Sequence, residues 1–134
     1  MTSISKAMRA KVRAKFGGLC AYCGCELPKS WHVDHMEPVG RDLMFKKGVG
    51  IVCTGVFLKP ENHREDNFMP ACPPCNIDKS GFGLEGWRMK LQGTCAVLTR
   101  NSSTYRHGLR FGQIIETAAP IVFYFERIAL QAAA

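Results

Sequence analysis

Cys72-Pro73-Pro74-Cys75-Asn76-Ile77-Asp78-Lys79 is the stretch on which the reading of this chain turns, because it has a counterpart upstream in Cys20-Ala21-Tyr22-Cys23-Gly24. Two Cys-x-x-Cys pairs offer four thiolates, the donor set of a closed tetrahedral zinc site. A metal so held would pin two distant segments together. Gly24 suits the first knuckle, since a residue without Cβ lets the backbone turn towards the ion. Between the pairs lie His32-Val33-Asp34-His35 and then Asn67, five residues before Cys72. Closing the zinc site would bring Asp34, His35 and Asn76 within reach of one another.

The bulk properties fit this reading. At 134 residues, 46% hydrophobic and 22% charged, the chain is sized for one domain spanning 1–134. A domain this small gains much from a structural metal. Eighteen Lys and Arg against 11 Asp and Glu give a formal charge of +7, which favours an anionic partner such as nucleic acid. Seven cysteines, an odd number, with paired x-x spacings and no apolar leader in Met1-Thr-Ser-Ile-Ser-Lys6, point to metal binding in a reducing compartment, hence cytoplasmic, rather than to disulfides. Cys25, Cys53 and Cys95 have no partner spacing, although Cys25 rivals Cys23 as a ligand. The apolar tail from Ala118 to Leu130 is broken by Pro120, Glu126 and Arg127, so no membrane span is expected.

Along the chain, residues 3–16 read as a helix capped by Ser3 or Ser5 and stopped at Gly17-Gly18, with an apolar stripe of Ile4, Met8, Val12 and Phe16. Its basic remainder is either a solvated face or a surface for a phosphate backbone. Trp31–Met36 alternates as a strand that Pro38 ends, which places His32 and Asp34 on one face and Val33 and His35 on the other. Residues 39–66 form a long connection containing a short strand or hairpin arm at Gly50–Leu58. Asn67–Ala71 is the next strand, a short helix follows over 73–80, and Leu84, Trp87 and Leu91 repeat at helical spacing over 84–92. A further helix is expected over 101–110, then strands at 113–117 and 121–128 around Ala118-Ala119-Pro120.

Cleaving a phosphodiester requires a nucleophile made from water, counter-charge for the crowded phosphorus and help for the departing oxygen. His35 is the natural general base, because a neutral imidazole takes a proton at pH 7. Asp34 offers a hard anionic oxygen and Asn76 a carbonyl oxygen, ligands that select Mg²⁺ or Mn²⁺. Plainer roles exist for each. An Asp-His pair is often a packing pair, Asn76 is also a favoured helix cap, and Lys79 is also an ordinary solvated lysine. His32 and His63 carry no assigned role, and Asn62 lies at the wrong distance from Cys72 to stand in for Asn67. Arg41, Lys46, Lys47 and Arg88 are candidate DNA contacts by charge and position alone, of the salt-sensitive backbone kind.

In combination these motifs resemble the HNH endonucleases, over roughly residues 15–85. They are Cys-x-x-Cys-Gly, Asp34-His35-x-x-Pro38, and Asn67 leading into Cys-x-x-Cys-Asn-x-x-Lys. Residues 86–134 are more loosely similar to small phage- and prophage-type members. The resemblance implies an α+β fold with a ββα-metal (His-Me finger) core, a four-cysteine zinc site, flanking helices and a C-terminal strand pair. It implies structural Zn²⁺ on Cys20, Cys23, Cys72 and Cys75, and catalytic Mg²⁺ or Mn²⁺ on Asp34 and Asn76. Asn76 stands where the family's third letter is His, which shifts preference away from softer ions. The resemblance also implies that Asn67 supports the catalytic His35 by bridging backbone, and that Lys79 contacts phosphate. The expected partner is DNA, with RNA and the oligomeric state (a dimer, or a complex with a larger phage or host partner) left open. Two other classes compete: a non-catalytic zinc-containing nucleic-acid-binding module, and a redox or metal sensor using its Cys-x-x-Cys pairs.

Overall fold

Ser5 opens the first helix by accepting a hydrogen bond from the Met8 amide at 3.1 Å, and the computed structural model describes residues 3–134 of the chain. Met1 and Thr2, with which the leader reading begins, lie outside the described residues. Helix α1 runs Lys6–Ala14, and the chain leaves it through Gly17 and Gly18 at φ +62° and +83°. The expected stripe holds: Val12 is fully buried, and Ile4, Met8 and Phe16 pack against the core. Part of the basic face is also structural. The Arg9 guanidinium sits 4.3 Å above the Trp31 ring, and Lys15 Nζ donates to the carbonyls of Glu65 and Phe68 at 2.6 Å each.

The fold is α+β, with six helices and two small antiparallel sheets among the described residues. The first sheet pairs β1 (His32–His35) with β4 (Phe68–Ala71), in the register His32 to Ala71 and His35 to Phe68. The second pairs β2 (Arg41–Lys46) with β3 (Gly50–Phe57). Thus the long connection contains a whole hairpin, where the sequence reading placed only one arm at Gly50–Leu58. The chain returns through 3₁₀ turns at Pro60–Asn62 and Glu65–Asn67 to β4. Helix α2 (Pro73–Lys79) follows at once, with two prolines in its first turn, where the missing N–H groups would have no helical partner anyway.

Helices α3 (Leu84–Gln92), α4 (Thr94–Asn101) and α5 (Ser103–Arg110) then follow in close succession. The predicted C-terminal strand pair does not form. Residues 113–123 have no regular structure, and Tyr124–Ala133 is a helix, α6. The aromatics that suggested a strand serve instead as a plug: Phe123 is buried and stacks on Trp87 with ring centroids 5.1 Å apart. Glu126 accepts from the Phe123 amide at 3.0 Å, which caps the new helix, and the Ala-rich tail beyond favours helix by intrinsic propensity. Tyr22, Trp87 and Phe123 form the aromatic centre of a core that also buries Cys20, Ala21, Leu27, Met69, Ala71 and Cys72. Among the described residues, no helix is long and apolar enough to cross a membrane.

Candidate functional site

The two knuckles meet. Cys20, Cys23, Cys72 and Cys75 bring their Sγ atoms within 4.8 Å of one another, a cluster that could bind a metal such as zinc. The first knuckle is shaped by the Cys20 amide donating to the Cys25 carbonyl at 2.8 Å, and by the Gly24 amide donating to the Cys20 carbonyl at 2.9 Å. Gly24 has φ +79°, and a Cβ there would sit 2.9 Å from the Tyr124 ring, so a larger residue would be strained and would push the Tyr124 side chain aside. The second knuckle is the N-terminus of α2, where the Cys72 amide donates to Cys20 Sγ at 3.4 Å. A hydrogen bond from the Cys75 thiol holds Cys20 at about 4, well below an ordinary thiol, against the opposing effect of burial. The same bond, followed by burial, pushes Cys75 up. Four sulfurs this close already stabilise one thiolate, and a divalent cation would let the others ionise as well. Cys25 stands outside the group: it is pushed up to about 12, first by burial and then by hydrogen bonds with Cys23 and Cys72.

The knuckles carry β1, β4 and α2, and these elements place the candidate catalytic groups. Asp34, His35 and Asn76 line one cavity of about 470 Å³, together with Arg41, Gly40 and Ser80. Strand alternation turns Asp34 inward, where it is buried. There its Oδ2 accepts from the Tyr22 hydroxyl and pairs with Lys79 Nζ at 3.0 Å. Burial raises the Asp34 carboxyl above its ordinary value, opposed by Lys79 and by the Tyr22 hydrogen bond. Burial also pushes the Tyr22 hydroxyl up, so it stays a proton donor to Asp34.

On the other face, His35 Nε2 lies 2.9 Å from His63 Nδ1, and the edges of Phe57 and Phe68 close around the ring. His35 is lowered to about 4, first by burial and then by electrostatic interaction with His63, Arg41 and Lys79. It is therefore a neutral imidazole across the whole neutral range.

Asn76 lies within α2, its amide N–H donating to the Cys72 carbonyl at 3.0 Å. The helix is capped by Cys72, which disposes of Asn76 as the cap. The Asn76 side-chain nitrogen lies 2.7 Å from His32 Nδ1. With the amide in that orientation the nitrogen donates, and the carbonyl oxygen is available to a cation.

Asn67 is 1% exposed and fully engaged. Its carbonyl oxygen accepts from the Glu37 amide at 2.9 Å, while its nitrogen donates to the carbonyls of Glu37 and Asn62 at 2.8 Å each. Asn62 in turn donates to the Pro38 carbonyl at 2.9 Å. The side chain thus ties the segment after β1 to the turn that precedes β4.

Two expected DNA contacts stand differently. Lys79 is not a surface lysine: it is 0% exposed, and its ammonium group bonds Asp34 and the His35 carbonyl, the latter at 2.9 Å. In this position it has no face to offer a phosphate. Its partner lies on a strand far away in sequence, which is why its burial was not legible there. Arg88 is likewise engaged. It donates to the Ile121 carbonyl, Glu85 and Glu126 and lies 4.7 Å above the Phe123 ring, so it locks the C-terminal plug. Arg41, Lys46 and Lys47 are exposed, and Arg41 borders the cavity.

Sequence reasoning missed Tyr22, inside the first knuckle, and His63. The first was visible only as a hydroxyl between two cysteines. The second was the one remaining histidine between His35 and Asn67, set in a polar run.

No protein-family model matches the chain, and neither a curated protein nor a solved structure matches it.

Proposed function

We propose that this protein is a metal-dependent endonuclease of the HNH type that hydrolyses DNA phosphodiesters, with a structural zinc on the four clustered cysteines. The observation that carries the reading is the convergence on one cavity of a neutral imidazole (His35), a carboxylate (Asp34) and a side-chain carbonyl (Asn76). The β1–β4 pair followed by α2 supports a ββα arrangement around that cavity.

Asp34 and Asn76 suit a hard divalent ion in donor type, and both line the same cavity. Mg²⁺ or Mn²⁺ held there would supply positive charge against the phosphate and the departing oxygen. The remaining chemistry belongs to the chain. His35 takes the proton from the attacking water, for which burial keeps its ring unprotonated. Lys79 and Tyr22 fix the Asp34 carboxylate, and Lys79 also fixes the backbone at His35, so both groups are placed before substrate arrives. Arg41 at the cavity edge offers a charge to the phosphate backbone.

One observation favours a second reading, a non-catalytic zinc-containing nucleic-acid-binding module: the buried Lys79 already neutralises Asp34, which reduces its pull on a cation. Cleavage of supercoiled plasmid by wild type and His35→Ala, in EDTA, Mg²⁺ and Mn²⁺, separates the two. Nicked or linear product that requires added metal and disappears in the variant is the expected result. Zinc-loaded protein that binds DNA yet cuts it in no metal would leave the binding module.

A further inference from the structure

We propose that His63 is the positioning residue for His35: it accepts a hydrogen bond from His35 Nε2–H and so leaves Nδ1 as the nitrogen that takes the proton from water. The proposal rests on the nuclease reading above. The two nitrogens are 2.9 Å apart, and the rings face each other at 5.2 Å with a 40° tilt. Phe68 meets the edges of both rings, at 5.4 and 5.1 Å. Phe57 reaches both as well, at 6.3 and 6.0 Å. The two imidazoles are therefore held as a pair between the Phe57 and Phe68 rings.

The backbone that delivers His63 is fixed with equal care. The His63 amide donates to the Pro60 carbonyl at 3.0 Å, closing the 3₁₀ turn. The residue before it is clamped twice, by the Asn67 side chain at its carbonyl and by its own side chain on Pro38. Asn67 therefore connects the segment following His35 to the segment carrying His63.

The tautomer follows from proton count. A neutral imidazole carries one N–H and one lone pair. If His35 Nε2 donates to His63, the lone pair is on Nδ1 and the ring is a base there. If Nε2 instead accepts from His63, Nδ1 carries the hydrogen and His35 has no lone pair left for water. Only the first arrangement supports general-base chemistry. A partner that holds a catalytic histidine in one tautomer is an established device, and the wrong tautomer is costly.

The test compares three variants of the zinc-loaded protein. Asn places its side-chain oxygen where His63 has Nδ1, whereas Gln reaches one bond further. His63→Ala should slow single-turnover plasmid nicking by about a hundredfold or more, with DNA affinity and zinc content unchanged. His63→Asn should recover most of that loss, and His63→Gln should not. An alanine variant within about threefold of wild type, or Asn and Gln variants equally impaired, would overturn the assignment. A second readout needs no cleavage: ¹⁵N–¹H imidazole spectra should show His35 protonated on Nε2 in wild type and mixed in His63→Ala. A wild-type ring protonated on Nδ1 would sink the proposal. The expected spectra from a protein that cuts no DNA would sustain the hydrogen bond and sink the nuclease reading instead.

Discussion

β1–β4 and β2–β3 are both two-stranded antiparallel ladders, yet every residue of β4 is buried while β2–β3 leaves Phe45 and Ile51 each 73% exposed. The pairing geometry is the same, so the backbone hydrogen bonds do not explain the difference. What differs is what each ladder is attached to. The β1–β4 pair is short, but each strand is tied to other elements. The Ala21 amide of the first knuckle donates to the Pro70 carbonyl at 2.8 Å, Lys79 of α2 bonds the His35 carbonyl, and Lys15, just past α1, bonds the Phe68 carbonyl. The β2–β3 ribbon is longer: Phe57 at its base packs on His35 and His63, while its outer part rests on its own ladder, with Thr54 bonded to Asp42 across it. An isolated two-stranded hairpin is marginal in water. Asp34 and His35 stand on the anchored ladder, with Asn76 on the helix that follows it, where positions can be held, and the exposed one carries Lys46 and Lys47 at its tip.

If the cysteine cluster holds a metal, the anchored ladder should fail first when that metal is removed. Cys72→Ser, or chelation of wild type, should abolish cooperative folding, since structural zinc supplies about 10–16 kcal/mol in small zinc modules, as much as the whole stability of a small domain. Metal content and the near-ultraviolet circular dichroism of Trp31 and Trp87 report this together. A metal-free protein that keeps its native dichroism would mean that the aromatic core, not the cluster, anchors β1–β4.

Next in size is Lys79→Met. It removes the partner of a buried carboxylate, and breaking such a pair costs about 3–5 kcal/mol. Denaturant unfolding of the zinc-loaded variant measures it. A cost under about 1 kcal/mol would show that Asp34 finds solvent through the cavity. Asn67→Ala should cost about 2–4 kcal/mol in the same measurement, because three backbone groups lose their partners in a largely closed site.

Lys79 also shows where sequence stopped being informative. The cysteine cluster was legible because the spacing within each pair is local; β1 and α3 were legible from their periodicities, and α2 from its prolines. Lys79 and Arg88 read as surface charges because nothing local marks a lysine whose carboxylate is supplied by a distant strand. β2 was missed because Leu43-Met44-Phe45 is an unbroken apolar run between charges, without the alternation of a half-buried strand. α6 was misread because Ile121-Val122-Phe123-Tyr124-Phe125 has high β propensity, and tertiary demand for an aromatic plug overrode it. His63 belonged to a polar run whose meaning comes only from the ring opposite.

A smaller effect distinguishes the two faces of β1 by pH. His35 is lowered to about 4 in the fold, against about 6.5 unfolded. Between those values the unfolded chain binds a proton that the folded one does not. Unfolding free energy therefore falls as pH drops from about 6.5 towards 4, and His35 adds no slope above that window. His35→Asn should accordingly lose less stability than wild type between about pH 7.5 and 5, measured by urea unfolding. Acid loss of metal affects both proteins and cancels in the comparison. Parallel curves would show that His35 takes up its proton as readily in the folded state as in the unfolded chain, and that burial does not lower it.

The smallest effect is expected on the exposed ladder. Phe45 and Ile51 face each other across β2–β3, and both are open to water. Replacing either with Thr keeps a β-forming residue and removes little buried area, so each should change stability by under about 0.5 kcal/mol. Substituting Val33 or Met69 on the anchored ladder should cost several times more, since Met69 is buried and Val33 packs on the core. If instead the Phe45 and Ile51 variants melt markedly lower at high protein concentration and alike at low concentration, the ribbon is covered by a second copy in solution, and its exposure belongs to the monomer alone. A drop that ignores concentration would place the ribbon in the cooperative unit of the fold, and the contrast between the two ladders would then be one of solvent contact rather than of anchorage.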